Sequence, residues 1–151
     1  MTTRIGIDVG TRTGIAVVDC GVEFRARELW TVDYQLAAPL ALGLALFYSC
    51  DVVIEEPQVS HVYQREGQGA GAMRKIALNV GECRQRALRL RDEVGKALMR
   101  WSIQGVAVHM RPPVKGGTKW PREVFNERFQ WTGASSSHSR DAAVIAMQGE
   151  A

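Results

Sequence analysis

The chain has 151 residues, enough for one domain with a single sizeable core. Its 46% hydrophobic and 23% charged residues fit an ordinary globular protein and argue against a disordered chain. The net charge of +3 is unevenly spread. Arg84 to Arg128 carries eleven Lys and Arg against four acids, while the rest is slightly acidic. Such a one-sided balance suits a phosphate backbone, and a solvated helix face is the plainer reading of the same charges.

Three cysteines, Cys20, Cys50 and Cys83, are odd in number, widely spaced and without a metal-binding pattern. They read as buried thiols in a reducing compartment. The N-terminus does not resemble a signal peptide. The longest apolar run, Leu36 to Cys50, is too short for a bilayer and is interrupted by Pro39 and Gly43. A cytosolic protein with no membrane partner is expected.

Arg4–Val9 alternates like a strand, Gly14–Cys20 is a second run rich in β-branched residues, and Glu23–Val32 is a third with alternating polar positions. Short turns between them predict an antiparallel meander. A helix follows within Asp33–Ser49, with Pro39 expected in or near its first turn, where a missing N–H is tolerated. "DVVIEEP", Asp51–Pro57, reads as a short buried strand stopped by proline. Gln58–Ala72, rich in Gln and Gly, reads as a loop. Arg74–Trp101 is a long helix, with apolar residues from Ile76 to Leu98 at spacings of three and four. Gly105–Met110 is a fifth strand and "RPPVKGGTKW" a loop. Pro121 opens a helix to about Phe129, and Ser135–Ser137 caps a last one, His138–Gln148. A meander followed by alternating strands and helices predicts an α/β domain over the whole chain, with a mixed sheet flanked by helices.

The chemistry-bearing residues sit at the ends of these elements. Asp8 closes the first strand, on the face opposite Ile5 and Ile7. Glu55 and Glu56 end the fourth strand on opposite faces, so one of them can join Asp8. His138 and Asp141 are three apart, on one face of the last helix. Carboxylates brought together repel unless cations lie between them. Hard oxygen donors with one imidazole suit Mg²⁺ or Mn²⁺, and two such ions support phosphodiester hydrolysis. Each residue also has a structural reading. Asp8 can cap a turn, Asp141 can answer a helix dipole, and His138 can make a single hydrogen bond. Gly6, Gly10 and Gly14 would leave room for the turn and for a phosphate.

Taken in order, "IGIDVGTRTGIAVVD", "DVVIEEP", "NVGECRQRALRL" and "HSRDAAVIAM" resemble the landmarks of the RuvC-type Holliday junction resolvases. That resemblance spans nearly the whole chain. It implies the ribonuclease H-like fold, with a five-stranded mixed sheet of three antiparallel strands and then two parallel ones. It implies a structure-selective endonuclease that cuts four-way DNA junctions as a homodimer, with two Mg²⁺ per site and Mn²⁺ able to substitute. Asp8, Glu55, His138 and Asp141 take the metal-ligand positions, and Lys115, in "PVK", takes that of a lysine near the scissile phosphate. Lys119, Arg122, Arg74 and Tyr63 are DNA-contacting candidates. Tyr63 or His61 would stand in for an aromatic wedge that "QVSHVYQREGQGAGAM" does not place directly after the acid. The Arg74–Trp101 helix is the candidate dimer interface. The stretch "GGTKWPREVFNERFQW" is also unlike the family pattern, and the chain's compactness suggests a divergent, phage-type branch working in a bacterial or phage-infected cytoplasm. The nearest alternative is the YqgF-like group, which shares the opening motif and is associated with ribosomal RNA processing. Its fourth strand usually lacks a strong acid, whereas "VVIEEP" has two. A sugar-kinase reading of "GIDVGT" would need two such domains, and a catalytically dead module sits poorly with all four site residues.

Overall fold

The computed structural model describes residues 1–58 and 69–149. The elements run β1 (Thr2–Asp8), β2 (Arg12–Cys20), β3 (Arg25–Asp33), α1 (Tyr34–Tyr48), β4 (Asp51–Glu55), α2 (Ala70–Arg100), β5 (Val108–Arg111), α3 (Arg122–Arg128) and α4 (Ser137–Ala146). A short 3₁₀ turn, Met147–Gly149, follows. The strands form one sheet of order β3-β2-β1-β4-β5. β1, β2 and β3 pair antiparallel, while β4 lies parallel to β1 and β5 parallel to β4. This is the expected arrangement of three antiparallel strands and then two parallel ones.

Period two divides the strand side chains between two cores. Ile5, Ile7, Ile15, Val17, Val52 and Ile54 face α1 and α2. Ala16, Val18, Cys20 and Ala26 face α3 and α4, where Phe125 and Phe129 stack at 4.6 Å between ring centroids. α2 is amphipathic through its second half, burying Ala87, Leu90, Val94 and Leu98. None of its residues before Ala87 is buried, although Arg84 still reaches Glu56 and Arg86 reaches Thr11 and Tyr34.

Some details differ from expectation. α2 begins at Ala70, inside the stretch read as loop, because its many small residues are compatible with a helix start. Pro39 is the sixth residue of α1, just past the first turn and so near it, as expected. It lies on an exposed face, where water can satisfy the Gln35 carbonyl left without a donor. β5 starts at Val108, three residues later than expected. β3 carries a bulge opposite Val17 and Val18, which leaves Arg27 as the extra residue. Arg27 turns onto the buried Asp19, with Nε donating to Oδ2 at 2.7 Å, while Thr3 Oγ1 donates to Asp19 Oδ1 at 2.7 Å. Among the described residues no disulfide forms; Cys20 and Cys50 are buried and Cys83 is half-buried. No described helix is long and apolar enough to cross a membrane.

Candidate active site

The site is built by the approach of α4 to the sheet. A Cβ placed on Gly6 would lie 1.9 Å from the Ala142 carbonyl oxygen, and one on Gly14 would lie 1.9 Å from that of His138. These two glycines therefore admit the helix backbone, not a phosphate as the sequence reading has it. Gly10 meets only the Arg12 carbonyl, at 3.0 Å. The small residues Ala142, Ala143 and Ala146 complete the close seat. A capping box fixes where the helix starts: the Ser139 amide donates to Ser136 Oγ at 3.0 Å and the Ser136 amide to Ser139 Oγ at 3.0 Å. Ser136 Oγ also bonds Thr31 Oγ1 of β3. The helix is thus pinned to the sheet at both its cap and its flank.

So placed, α4 delivers His138 and Asp141 to the C-terminal ends of β1 and β4. His138 Nδ1 donates to Asp8 Oδ2 at 3.0 Å. Asp141 is 8% exposed. Burial pushes the Asp8 carboxyl above its ordinary range, against the lowering effects of the His138 hydrogen bond and of the His138 and Lys119 charges. Glu55 is likewise raised by burial and by the charges of Asp8 and Asp141, while the Val114 amide, 3.3 Å from Oε2, opposes the shift. Asp141 is raised by burial and by Asp8, and lowered by a hydrogen-bonding interaction with the Thr118 hydroxyl and by the charges of Lys119 and His138. Three carboxylates from three separate elements thus share one electrostatic field.

Glu56, one residue on, turns away: Arg84 Nε of α2 donates to its Oε1 at 2.9 Å. Strand alternation separates the two glutamates, and Glu55 is the one carried to Asp8. Lys119 is the lysine whose charge acts on Asp8 and Asp141. Lys115 is exposed and lines a cavity with Trp120, Val144 and Met147. Arg122 and Arg74 are exposed at the starts of α3 and α2. Tyr63 and His61 lie outside the described residues. The Val114 amide joins the site without having been anticipated, since neither residue type nor spacing signals such a role. Among the described residues no group of three or more His, Cys, Asp or Glu side chains is drawn close enough to form a ready metal cage.

No protein-family model and no curated protein matches this sequence. Solved structures do match. The RuvC of T. thermophilus, determined in complex with a Holliday junction substrate, aligns over 97% of this chain and 91% of its own, with 18% identity and a TM-score of 0.58. The yeast mitochondrial Holliday junction resolvase aligns over 97% of this chain and 76% of its own, with 11% identity and a TM-score of 0.49. The Fowlpox virus resolvase, determined with Holliday junction DNA, aligns over 97% of both chains, with 8% identity and a TM-score of 0.43. The chain has the ribonuclease H-like fold of RuvC. The resemblance read from the sequence motifs is therefore present in the three-dimensional structure.

Proposed function

We propose that this protein is a divalent-cation-dependent endonuclease that resolves four-way DNA junctions by paired, symmetric nicks. One observation carries the reading. Asp8, Glu55 and Asp141 are brought together from β1, β4 and α4, and each is pushed upward in part by burial or by its neighbours' charge. Such crowding costs stability, and perturbed carboxylates of this kind mark functional sites. The fold is that of a protein solved with a Holliday junction substrate, which supports a branched-DNA substrate here.

The donor set suits hard cations. Three carboxylates raised by burial, two of them also by a neighbour's charge, with an imidazole beside Asp8, are the chemistry that Mg²⁺ or Mn²⁺ would satisfy, and we assign two ions to the site. Asp8, Glu55, Asp141 and His138 would hold them. Bound there, such ions supply an activated water and stabilise charge on the leaving oxygen. Hydrolysis breaks the bond between phosphorus and the 3′-oxygen, leaving a 5′-phosphate and a 3′-hydroxyl. His138 holds the Asp8 carboxylate in one orientation through its 3.0 Å bond. Lys119, supported by Lys115, offsets the negative charge that grows on the phosphoryl oxygens. Arg122 and Arg74, with the basic span from Arg84 to Arg128, hold the junction arms, which makes binding strongly salt-dependent.

Two nicks on a two-fold symmetric substrate call for a two-fold homodimer. The first half of α2 is the surface assigned to it, because none of its residues before Ala87 is buried and Leu78 is 61% exposed. The test offers a synthetic four-way junction, a linear duplex and single-stranded RNA to the protein with Mg²⁺ or Mn²⁺. Paired symmetric nicks confined to the junction are expected. Preferential cleavage of the RNA would instead support a role in RNA processing.

A further inference from the structure

We propose that Gln148, just beyond α4, is a positioning residue for Glu55: its side-chain amide brackets the Pro112–Val114 segment and so fixes the backbone N–H that bonds the Glu55 carboxylate. This rests on the catalytic reading of Glu55 and adds a support to it. The need for a support begins in the sequence. β5 ends at Arg111, opposite Glu55, and the Glu56 amide closes the ladder by donating to the Arg111 carbonyl at 2.8 Å. The next two residues are Pro112 and Pro113, which have no N–H to continue a ladder. The first amide after the strand is therefore that of Val114, and it donates to Glu55 Oε2 at 3.3 Å. One bond of that length, from a segment outside the sheet, holds little by itself.

Gln148 supplies what the sheet does not. Its side-chain nitrogen donates to the Pro112 carbonyl at 3.1 Å, and its oxygen accepts from the Val114 amide at 3.1 Å. The orientation follows from these neighbours, because the reverse would set oxygen against oxygen and N–H against N–H. Bonding one residue's carbonyl and the amide two residues on is what a residue of a neighbouring parallel strand does. The Val114 N–H is thereby shared between Gln148 and Glu55. Gln148 is half-buried and borders a cavity with Val114, Trp120 and Val144. It lies two residues past Ala146, whose amide nitrogen would stand 2.6 Å from a Cβ on Gly6. The helix that carries His138 and Asp141 at its start thus carries, just past its end, the group that holds the donor to Glu55.

Gln148→Met tests the bracket, because it keeps the length of the side chain and removes both bonds. Its melting temperature is measured alongside. In the cation-free protein, Val114 amide exchange should quicken several-fold, while the Glu56 amide, bonded within the sheet, keeps its wild-type rate. The Glu55 carboxylate carbon, followed by NMR, should shift. On the four-way junction kcat should fall about tenfold with KM little changed, the signature of a misplaced group rather than lost affinity. Wild-type Val114 exchange, an unmoved Glu55 signal or an unchanged kcat would each overturn the positioning role. Equal quickening at Glu56 would also overturn it, since the loss would then belong to the fold as a whole. If the wild-type protein cuts no junction, the catalytic reading fails, and the Val114 and Glu55 signals alone decide whether Gln148 holds the donor in place.

Discussion

Replacing Gly14 by alanine tests the construction of the site most directly. The added Cβ would stand 1.9 Å from the His138 carbonyl oxygen, 2.3 Å from its carbon and 2.9 Å from the Ser139 amide nitrogen. All three are backbone atoms of α4, so no side-chain rotation relieves the clash. A tolerable contact needs about 3 Å, which obliges the helix to lift by about 1 Å. His138 then moves off Asp8, whose 3.0 Å bond has no slack for such a shift. Overpacking of this kind costs about 1–3 kcal/mol, and a displacement of about 1 Å at a reacting centre costs about 100-fold in rate. Urea denaturation would read the first quantity and single-turnover cleavage of a four-way junction the second. Gly43→Ala is the control. It sits in α1 with nothing within 4 Å of the new Cβ, and should stabilise the protein by up to about 1 kcal/mol without changing cleavage. A Gly14→Ala variant with wild-type midpoint and wild-type rate would refute the claim that helix seating positions the site.

Glu55→Gln should abolish cleavage while Glu56→Gln leaves most of it, since Glu56 is engaged with Arg84; the reverse result on a junction gel would reassign the second acid. Asp8→Asn and Asp141→Asn should each abolish cleavage yet stabilise the cation-free fold, because each removes a carboxylate charge that burial penalises. The sign with pH follows. Carboxyls raised in the fold keep protons that the unfolded chain has lost, so the wild type loses stability as pH rises above about 4, through the raised values. The Asp8→Asn advantage should therefore grow with pH in thermal melts, and a constant difference would count against the shift. Asp19→Ala should cost about 1–3 kcal/mol by leaving Thr3 and Arg27 without their acceptor, and should spare cleavage because Asp19 lies at the opposite end of the sheet.

The strands were legible because their chemistry is local. Alternation through Ile5, Ile7, Ile15 and Val17 marks one buried face, and "DVVIEEP" announces a strand end through its proline. Alternation likewise separated Glu55 from Glu56, but nothing local said which of them would meet Asp8. That depends on which sheet face α4 covers, a tertiary fact. The same holds for Gly6 and Gly14, whose purpose appears only when the Ala142 and His138 carbonyls are found against them. The start of α2 was obscured because Gly and Ala in "GAGAM" carry turn and helix signals together. Lys119 was hard to place because Gly116 and Gly117, with φ of +89° and +82°, reverse the chain just before it, and that geometry is invisible to spacing along the sequence.

The direct contact of the α4 backbone with the sheet at Gly6 and Gly14 has a bearing on how the protein fails. In most enzymes an active-site helix can detach locally while the core stays folded, and activity fades before the structure melts. Here Gly6 and Gly14 set the helix backbone directly on the two inner strands, and Ala142, Ala143, Val144, Ile145 and Ala146 are all buried there. Parting His138 from Asp8 through helix movement therefore means opening one of the two cores, an event close to global unfolding. Heat inactivation and loss of structure should coincide, with the amides of α4 among the last in the molecule to exchange.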